Sequence, residues 1–395
     1  MLGNPTLPVT VLLLLTGSIQ SHAEVTGYVK SFAIHQEGIN SGDTESDRSW
    51  QSRNSIRVMW DKSDSRTSWQ LHYELNPLIS SETLPQEDST LAITDGSYRL
   101  TDLHEPDTSK DKKHRIFQNL DRLNLQIRFD QGDLTIGRQA ITLGAARFIN
   151  PTDVFLPYDV QTFNQEYRIG VDAIRYQSPM GDLGELDLGV VLGNDANPEE
   201  SALFLQLRGN YSGSDLNLAI SRFAQQNMIG AGIQSALGNF GFWLEIANVS
   251  GDTDYTRTSI GLDFAFTEST LGQIEYHYNG AGSKNPADYD SQFTSTAYQR
   301  GGVFLLGKNY VIPSVNQQLS PLTSLNLSGF INLDDDSLFL SLSTAFNIAE
   351  NFYLDAGYYH FSGDEISESS SGSPEVNSEY GGSPEVAYIS IRYYF

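Results

Sequence analysis

The 395-residue chain contains no cysteine. That absence excludes disulfides, thiolate zinc sites, cysteine nucleophiles and a lipid anchor built on cysteine. Basic residues are scarce: 24 Lys and Arg stand against 49 Asp and Glu, a formal charge of −25. So acidic a balance argues against a nucleic-acid partner, which needs a basic footprint. Long apolar runs are missing too. The compact stretch Val9 to Leu15 is too short to cross a bilayer as a helix. Small and polar residues follow it, ending in Ser21-His22-Ala23, an A-x-A-like cleavage site. Residues 1–23 therefore read as a secretory leader, although the usual basic residue at its start is absent. An exported protein without disulfides needs another source of cohesion, and a closed hydrogen-bonded barrel in lipid supplies one.

What the chain does have is alternation. Ile56, Val58 and Trp60 alternate with Ser55, Arg57 and Met59; Leu123, Leu125 and Ile127 alternate with Arg122, Asn124 and Gln126. The same two-residue period recurs along the chain, as in Leu216/Leu218/Ile220, Ile260/Leu262/Phe264 and Leu338/Leu340/Leu342. Each run has one apolar and one polar face and about the length of a tilted membrane strand. No fixed longer period accompanies them, which separates the pattern from a propeller or β-helix. Short polar links such as Asp130-Gln131-Gly132-Asp133 and Tyr211-Ser212-Gly213-Ser214-Asp215 read as hairpin turns. Longer links, roughly 37–49, 76–117, 141–165, 280–301 and 363–384, fall mostly at the opposite strand ends. This is the asymmetry of outer-membrane barrels. Residues 24–395 are thus expected to form one all-β transmembrane antiparallel barrel of about 18 strands, with 16 as the alternative. The weakest strand is 303–320, framed by Pro313 and Pro321. Loops 76–117 and 363–384 read as solvated.

The last residues, Ala387 to Phe395, put Ile389, Ile391, Tyr393 and Phe395 on one face and Ser390 and Arg392 on the other. Ile391, Tyr393 and Phe395 look like the terminal signal that a barrel assembly machinery reads. Trp60, Tyr73, Tyr276, Tyr358 and Tyr393 suit interfacial girdles against lipid and lipopolysaccharide.

The segment from Gly137 to Arg175 stands apart. It leaves a strand, crosses a loop dense in Gly, Pro and Asn, and returns to a strand near Tyr167. The loop is apolar: Ile141, Leu143, Phe148, Ile149, Val154 and Phe155 should not lie free in water. Folded inward, it would form a constriction. Gly137-Arg138-Gln139, Gly144, Arg147, Arg168, Asp172 and Arg175 match a region of the alginate-export porins, and the chain resembles that family there. Asn150-Pro151-Thr152-Asp153 departs from the family pattern. The resemblance implies an 18-stranded monomeric barrel acting as a diffusion channel, and it leaves the substrate open.

Strand parity gives an inward set: Arg53, Arg57, Arg122, Arg128, Arg208, Arg257 and Arg392, with the acids Glu74, Asp187, Glu245, Asp263 and Glu275. The arginines could form an electropositive track for carboxylates or pair with the acids and brace the wall. Arg138, Arg147, Asp153, Arg168, Asp172 and Arg175 are the candidate constriction residues. Arg138 and Arg175 share parity with apolar neighbours, so each would need a bulge or strand end to turn inward. The expected activity is passive diffusion of small or linear organic solutes, including oligosaccharides and anionic ones such as carboxylates or uronate-like sugars, with no cofactor. Acidic external loops count against anions. The rivals are a barrel-wall hydrolase using His72 or His277, which no catalytic motif supports, and an adhesive or structural barrel. Asp334-Asp335-Asp336 reads as a solvated turn before it reads as a cation site.

Overall fold

A computed structural model of the protein describes residues 22–38, 40–41, 44–45, 48–82, 98–101, 103, 113–155, 166–368 and 374–395. Its main sheet has 18 strands. The first nine are β1 (His22–Gln36), β2 (Ser49–Ser63), β3 (Thr67–Ser80), β4 (His114–Phe129), β5 (Gly132–Gln139), β6 (Val171–Met180), β7 (Gly184–Val191), β8 (Ala202–Tyr211) and β9 (Ser214–Phe223). The rest are β10 (Gln226–Leu237), β11 (Phe240–Ser250), β12 (Tyr255–Thr267), β13 (Thr270–Asn279), β14 (Asn309–Ser320), β15 (Thr323–Asn332), β16 (Leu338–Ala349), β17 (Phe352–Ser362) and β18 (Val386–Tyr394). Each strand pairs antiparallel with its sequence neighbours, and β18 pairs with β1 from Tyr28↔Tyr394 to Gln36↔Val386. The cylinder is closed, so no edge is left unpaired.

Closure divides the side chains by parity. Arg57, Asp187, Glu245, Ser259 and Glu275 are buried, while the adjacent Ile56, Leu188, Ile246, Ile260 and Ile274 are exposed. The accessible apolar face of a closed barrel is the lipid face, and the polar face lines the interior. Among the terminal residues, Ile391, Tyr393 and Phe395 lie on the outer face, whereas Ser390 is buried on the inner one.

The ends of the barrel differ. At one end eight connections run over only two or three residues, such as Asp130-Gln131 and Ser212-Gly213. Ser212 and Gly213 both have positive φ, 52° and 83°, the conformation a two-residue hairpin needs to follow strand twist. The other end carries the long connections, including two short helices, α1 (Tyr289–Gln292) and α2 (Thr296–Arg300), between β13 and β14.

Several boundaries differ from the sequence reading. Pro77 and Pro313 lie within β3 and β14, opposite Ile116 and Ile274, and the loop expected at 76–117 shrinks to 81–113. The strand expected at 303–320 begins at Asn309, and the return expected near Tyr167 comes at Val171. β1 starts at His22, two residues before the expected start of the barrel at 24; residues 1–21 lie outside the described residues. β4 carries a bulge: His72 pairs with Arg122 and Tyr73 with Leu120, which leaves Asp121 unopposed. Asp121 and Arg122 are adjacent and both buried, as a bulge allows.

Candidate functional site

Segment 140–155 leaves β5 and lies along the polar faces of β8 to β13. Its apolar residues Ile141, Leu143, Val154 and Phe155 join Phe204, Phe223, Met228 and Val249 in one buried core. Each such burial contributes about 2 kcal/mol. Ile149 belongs to a second core with Tyr310, Ile312, Phe330 and Phe339. Wall side chains take up the segment's backbone groups, which a buried loop would otherwise leave unpaired.

Glu245 does most of this. One carboxylate oxygen accepts from Thr152 N at 2.8 Å and Thr152 Oγ1 at 2.7 Å; the other accepts from Ala145 N at 2.6 Å and Ala146 N at 2.7 Å. Glu275 accepts from Ile149 N at 2.9 Å and from Trp243 Nε1 at 2.6 Å. The carbonyl of Leu143 receives Gln206 Nε2 at 2.6 Å and Asn217 Nδ2 at 2.9 Å. Ser259 Oγ donates to Ile149 O at 2.7 Å. The wall also makes room: a Cβ on Gly230 would sit 2.2 Å from Thr152 Cγ2. Glu245 and Glu275 are fully buried on the inner face, and the segment's own amides are among their partners.

The candidate constriction residues fall into separate ion pairs. Arg138 grips Asp172 with Nε and Nη2, both at 2.8 Å, and donates to the carbonyls of Leu120 and Thr101. It keeps the parity of Leu134 and Ile136, and Gly137 before it has φ +113°. Arg168 pairs with buried Asp153, and Arg147 lies 3.5 Å from Asp263 and 5.8 Å from the Trp243 ring. Arg175 binds Asp187 through Nε at 2.8 Å and Nη2 at 2.5 Å. The expectation of a bulge at Arg175 is corrected. Ile174 beside it is exposed while Val171 and Ala173 are buried, so Arg175 faces inward by ordinary alternation. Its apolar neighbours misled because they pack under the inner core.

The remaining inward arginines are engaged as well. Arg57 pairs with Asp121, lies 3.4 Å from Glu74 and sits over the Tyr167 ring at 4.3 Å. Arg122 shares Asp121 at 2.8 Å and donates to Arg168 O at 2.7 Å. Arg208 lies 3.6 Å from Glu185, and Arg392 binds Asp355 through both nitrogens at 2.5 Å. Arg53 donates to Gln51, Arg128 to the Asp64 carbonyl, and buried Arg257 to Pro151 O at 3.4 Å. Asp121, absent from the sequence-derived set, is the hub of one network and also accepts from Gly170 N at 2.8 Å. Its signal was there to read: an acid next to an arginine where alternation should put one of them in lipid.

The long loops are not merely solvated. Tyr98 is buried against Phe155 and donates to Arg300 O at 2.9 Å. In the last long connection, Glu379 accepts from Leu306 N at 3.0 Å, Asn332 Nδ2 at 2.9 Å and Tyr310 OH at 2.5 Å. Its own amide donates to Asp335, which also accepts from Tyr289 OH at 2.8 Å. One polar knot thus joins three long-end connections. Burial, with the Asp335 carboxylate beside it, pushes Glu379 up to about 7.

The geometry gives the hydrolase reading little. Ser259 Oγ lies 2.8 Å from His277 Nδ1, but both are fully buried and Ser259 also bonds the Ile149 carbonyl. No carboxylate orients His277 among the described residues, as a triad requires. His72 contacts Asp61 at 3.1 Å and Arg57 at 3.4 Å, with no nucleophile in the group. Among the described residues no His, Asp and Glu group could hold a metal. Asp334 instead accepts from Lys308 N at 2.6 Å and Asn309 N at 2.8 Å, as a turn residue does.

Two cavities on the inner face lie toward the short-turn end. One, of about 650 Å³, is bounded by β1, β15 to β18 and Glu166. The other, of about 580 Å³, lies against β1 to β6 and is lined by Lys62, Arg122 and Arg175 among others.

No family model and no curated protein matches the chain. Solved structures match its fold. Acinetobacter baumannii OccAB4 gives a TM-score of 0.59 at 9% identity, covering 94% of this chain and 98% of that one. A BenF-like porin from Pseudomonas fluorescens Pf-5 gives 0.59 at 9% identity, with 94% and 98% covered. Pseudomonas aeruginosa OccD3 (OpdP) gives 0.54 at 10% identity, with 94% and 91% covered. The fold is that of bacterial outer-membrane porins; the narrower likeness to alginate-export porins finds no support in these comparisons.

Proposed function

We propose that the protein is a passive channel for small polar organic solutes in the bacterial outer membrane. One observation carries this reading: a closed barrel with a polar inner face, across which segment 140–155 is tied by Glu245 and Glu275. On this reading the segment narrows the lumen, and Arg147, Asp153 and Arg168 belong to the constriction. Residues 1–23 are removed on export, Ile391, Tyr393 and Phe395 serve assembly, and a single barrel surrounded by lipid and lipopolysaccharide is the working unit. The fold shared with porins supports it.

The arginine track is the weaker form of the proposal. Eight inward or constriction guanidinium groups are matched by carboxylates: Arg57, Arg122, Arg138, Arg147, Arg168, Arg175, Arg208 and Arg392. Paired charges attract a passing anion far less than bare ones. Weak ion selectivity is therefore expected in planar bilayers, with a stable single-channel conductance. Arg168→Ala separates the readings. As a brace, its loss strands buried Asp153, costs about 3 kcal/mol of stability and leaves the reversal potential nearly unchanged. A shift toward cation selectivity at unchanged thermal stability would restore the track. No conductance at all would overturn the channel.

A further inference from the structure

The cavity against β15 to β18 has a chemistry of its own. Segment 140–155 is tied to β8–β13, and toward the short-turn end it leaves this arc of the inner face open. Four charged groups border the cavity, and they cancel in pairs. Lys30 Nζ lies 2.5 Å from Glu166, which also accepts from Tyr394 OH at 2.7 Å. Arg392 is bound by Asp355, which Ser390 Oγ also reaches at 2.8 Å. Neither cation is offered to an anionic ligand, and Glu166 and Asp355 would repel one.

The neutral groups are available. Ser324 and Asn326 on β15, Ser343 on β16 and Asn351 in the β16–β17 turn line the same cavity. Among the described residues, none of these four side chains has a hydrogen-bond partner in the protein. Asn326 stands directly opposite Ser343 in the strand register, so their free ends lie side by side. Hydroxyl and carboxamide groups both donate and accept, as the hydroxyls of a sugar do. Tyr353 and Tyr388 line the same wall, adding the amphipathic side chains that a sugar ring, polar at its edge and apolar on its face, would meet. The volume, about 650 Å³, is within the ~300–1,000 Å³ of small-molecule sites.

We infer that this cavity is a binding site for an uncharged, hydroxyl-rich solute, a short sugar, held by Ser324, Asn326, Ser343 and Asn351. The inference rests on the channel reading only for the sugar's passage; the site itself is defined by its lining. The test compares maltotriose with trigalacturonate, a chain of equal length carrying carboxylates. Maltotriose should interrupt the ion current of single channels, and trigalacturonate should do so at least about tenfold less well, since burying a carboxylate unpaired costs more than burying a hydroxyl. Asn326→Ala and Ser343→Ala should each weaken maltotriose about fivefold, the worth of one neutral hydrogen bond. Retention of the heat-modifiable folded form on gels qualifies each variant, and either one that keeps it suffices. A conducting channel insensitive to maltotriose, an equal response to both probes, or unchanged affinity in a folded variant would overturn the site. A protein that binds maltotriose in detergent by calorimetry, weakened in either variant, yet passes no ions would support the site and overturn the channel.

Discussion

Replacing Glu245 by glutamine exchanges one carboxylate oxygen for an amide nitrogen and barely alters volume. In the native wall each oxygen accepts two hydrogen bonds, from Ala145 N and Ala146 N on one side and from both Thr152 donors on the other. A glutamine carbonyl can keep one of these sets. The favoured rotamer keeps Ala145 N and Ala146 N on the carbonyl and turns NH2 toward Thr152, whose Oγ1 can accept from it while donating to Leu143 O at 3.0 Å. Thr152 N alone is then left without an acceptor, and a buried donor so stranded costs about 1–3 kcal/mol of the segment's attachment. The apolar anchors Leu143, Val154 and Phe155 remain, each worth about 2 kcal/mol. The segment should therefore loosen at one end and not be expelled. Hydrogen exchange read by mass spectrometry should show peptides spanning 141–155 exchanging at least about fivefold faster, with β8 and β9 unchanged. Thr152→Val, which removes the hydroxyl shared between Glu245 and Leu143 O but leaves all three amides paired, should give a smaller effect. Equal protection in wild type and Glu245→Gln would refute the idea that this carboxylate holds the segment.

Two further outcomes follow from groups at the ends of the wall. Glu379 holds its proton more tightly in the docked knot than in water, up to about 7 against an ordinary 4.5. Docking of 374–385 should therefore be strongest at acid pH, weaken as pH rises from about 4.5 through 7, and level off above that. Limited proteolysis of that connection between pH 5 and 8 should trace the change, and Glu379→Gln should abolish it; a wild-type profile independent of pH would contradict the assignment. Gly137→Ala forces a side chain onto a residue at φ +113° and places Cβ 2.2 Å from Leu123 O. Backbone strain alone costs about 1–3 kcal/mol, so the heat-modification midpoint on gels should fall; an unchanged midpoint would show that β5 can shift freely.

The wall was legible in the sequence because membrane strands repeat one local rule. Leu216/Leu218/Ile220 and Ile260/Leu262/Phe264 face outward as their alternation implied, and the terminal strand closes on β1 as its pattern suggested. Legibility stopped where parity is broken or depends on a distant partner. Asp121 escaped because an acid beside an arginine signals only that alternation fails; that a bulge turns both inward shows in the pairing with β3. Arg175 was misjudged because Val171 and Ala173 are apolar for a reason internal to the lumen. Glu245 and Glu275 were placed on the inner face, but nothing local shows that their partners are backbone amides about 100 residues away in sequence. Glu166 and Glu379 sit in connections whose composition says only that they are polar.

The bulge in β4 bears on how the barrel could be edited. Because Asp121 and Arg122 both point inward, Asp121 can be excised with every other β4 side chain left on its present face. Asn119 would still be inward, Leu120 outward and Arg122 inward, now in unbroken alternation. Excision would remove only the carboxylate that Arg57, Arg122 and Gly170 share. The cylinder and its interior fittings are thus separable in this strand: one insertion furnishes the lumen without altering the frame that lipid meets.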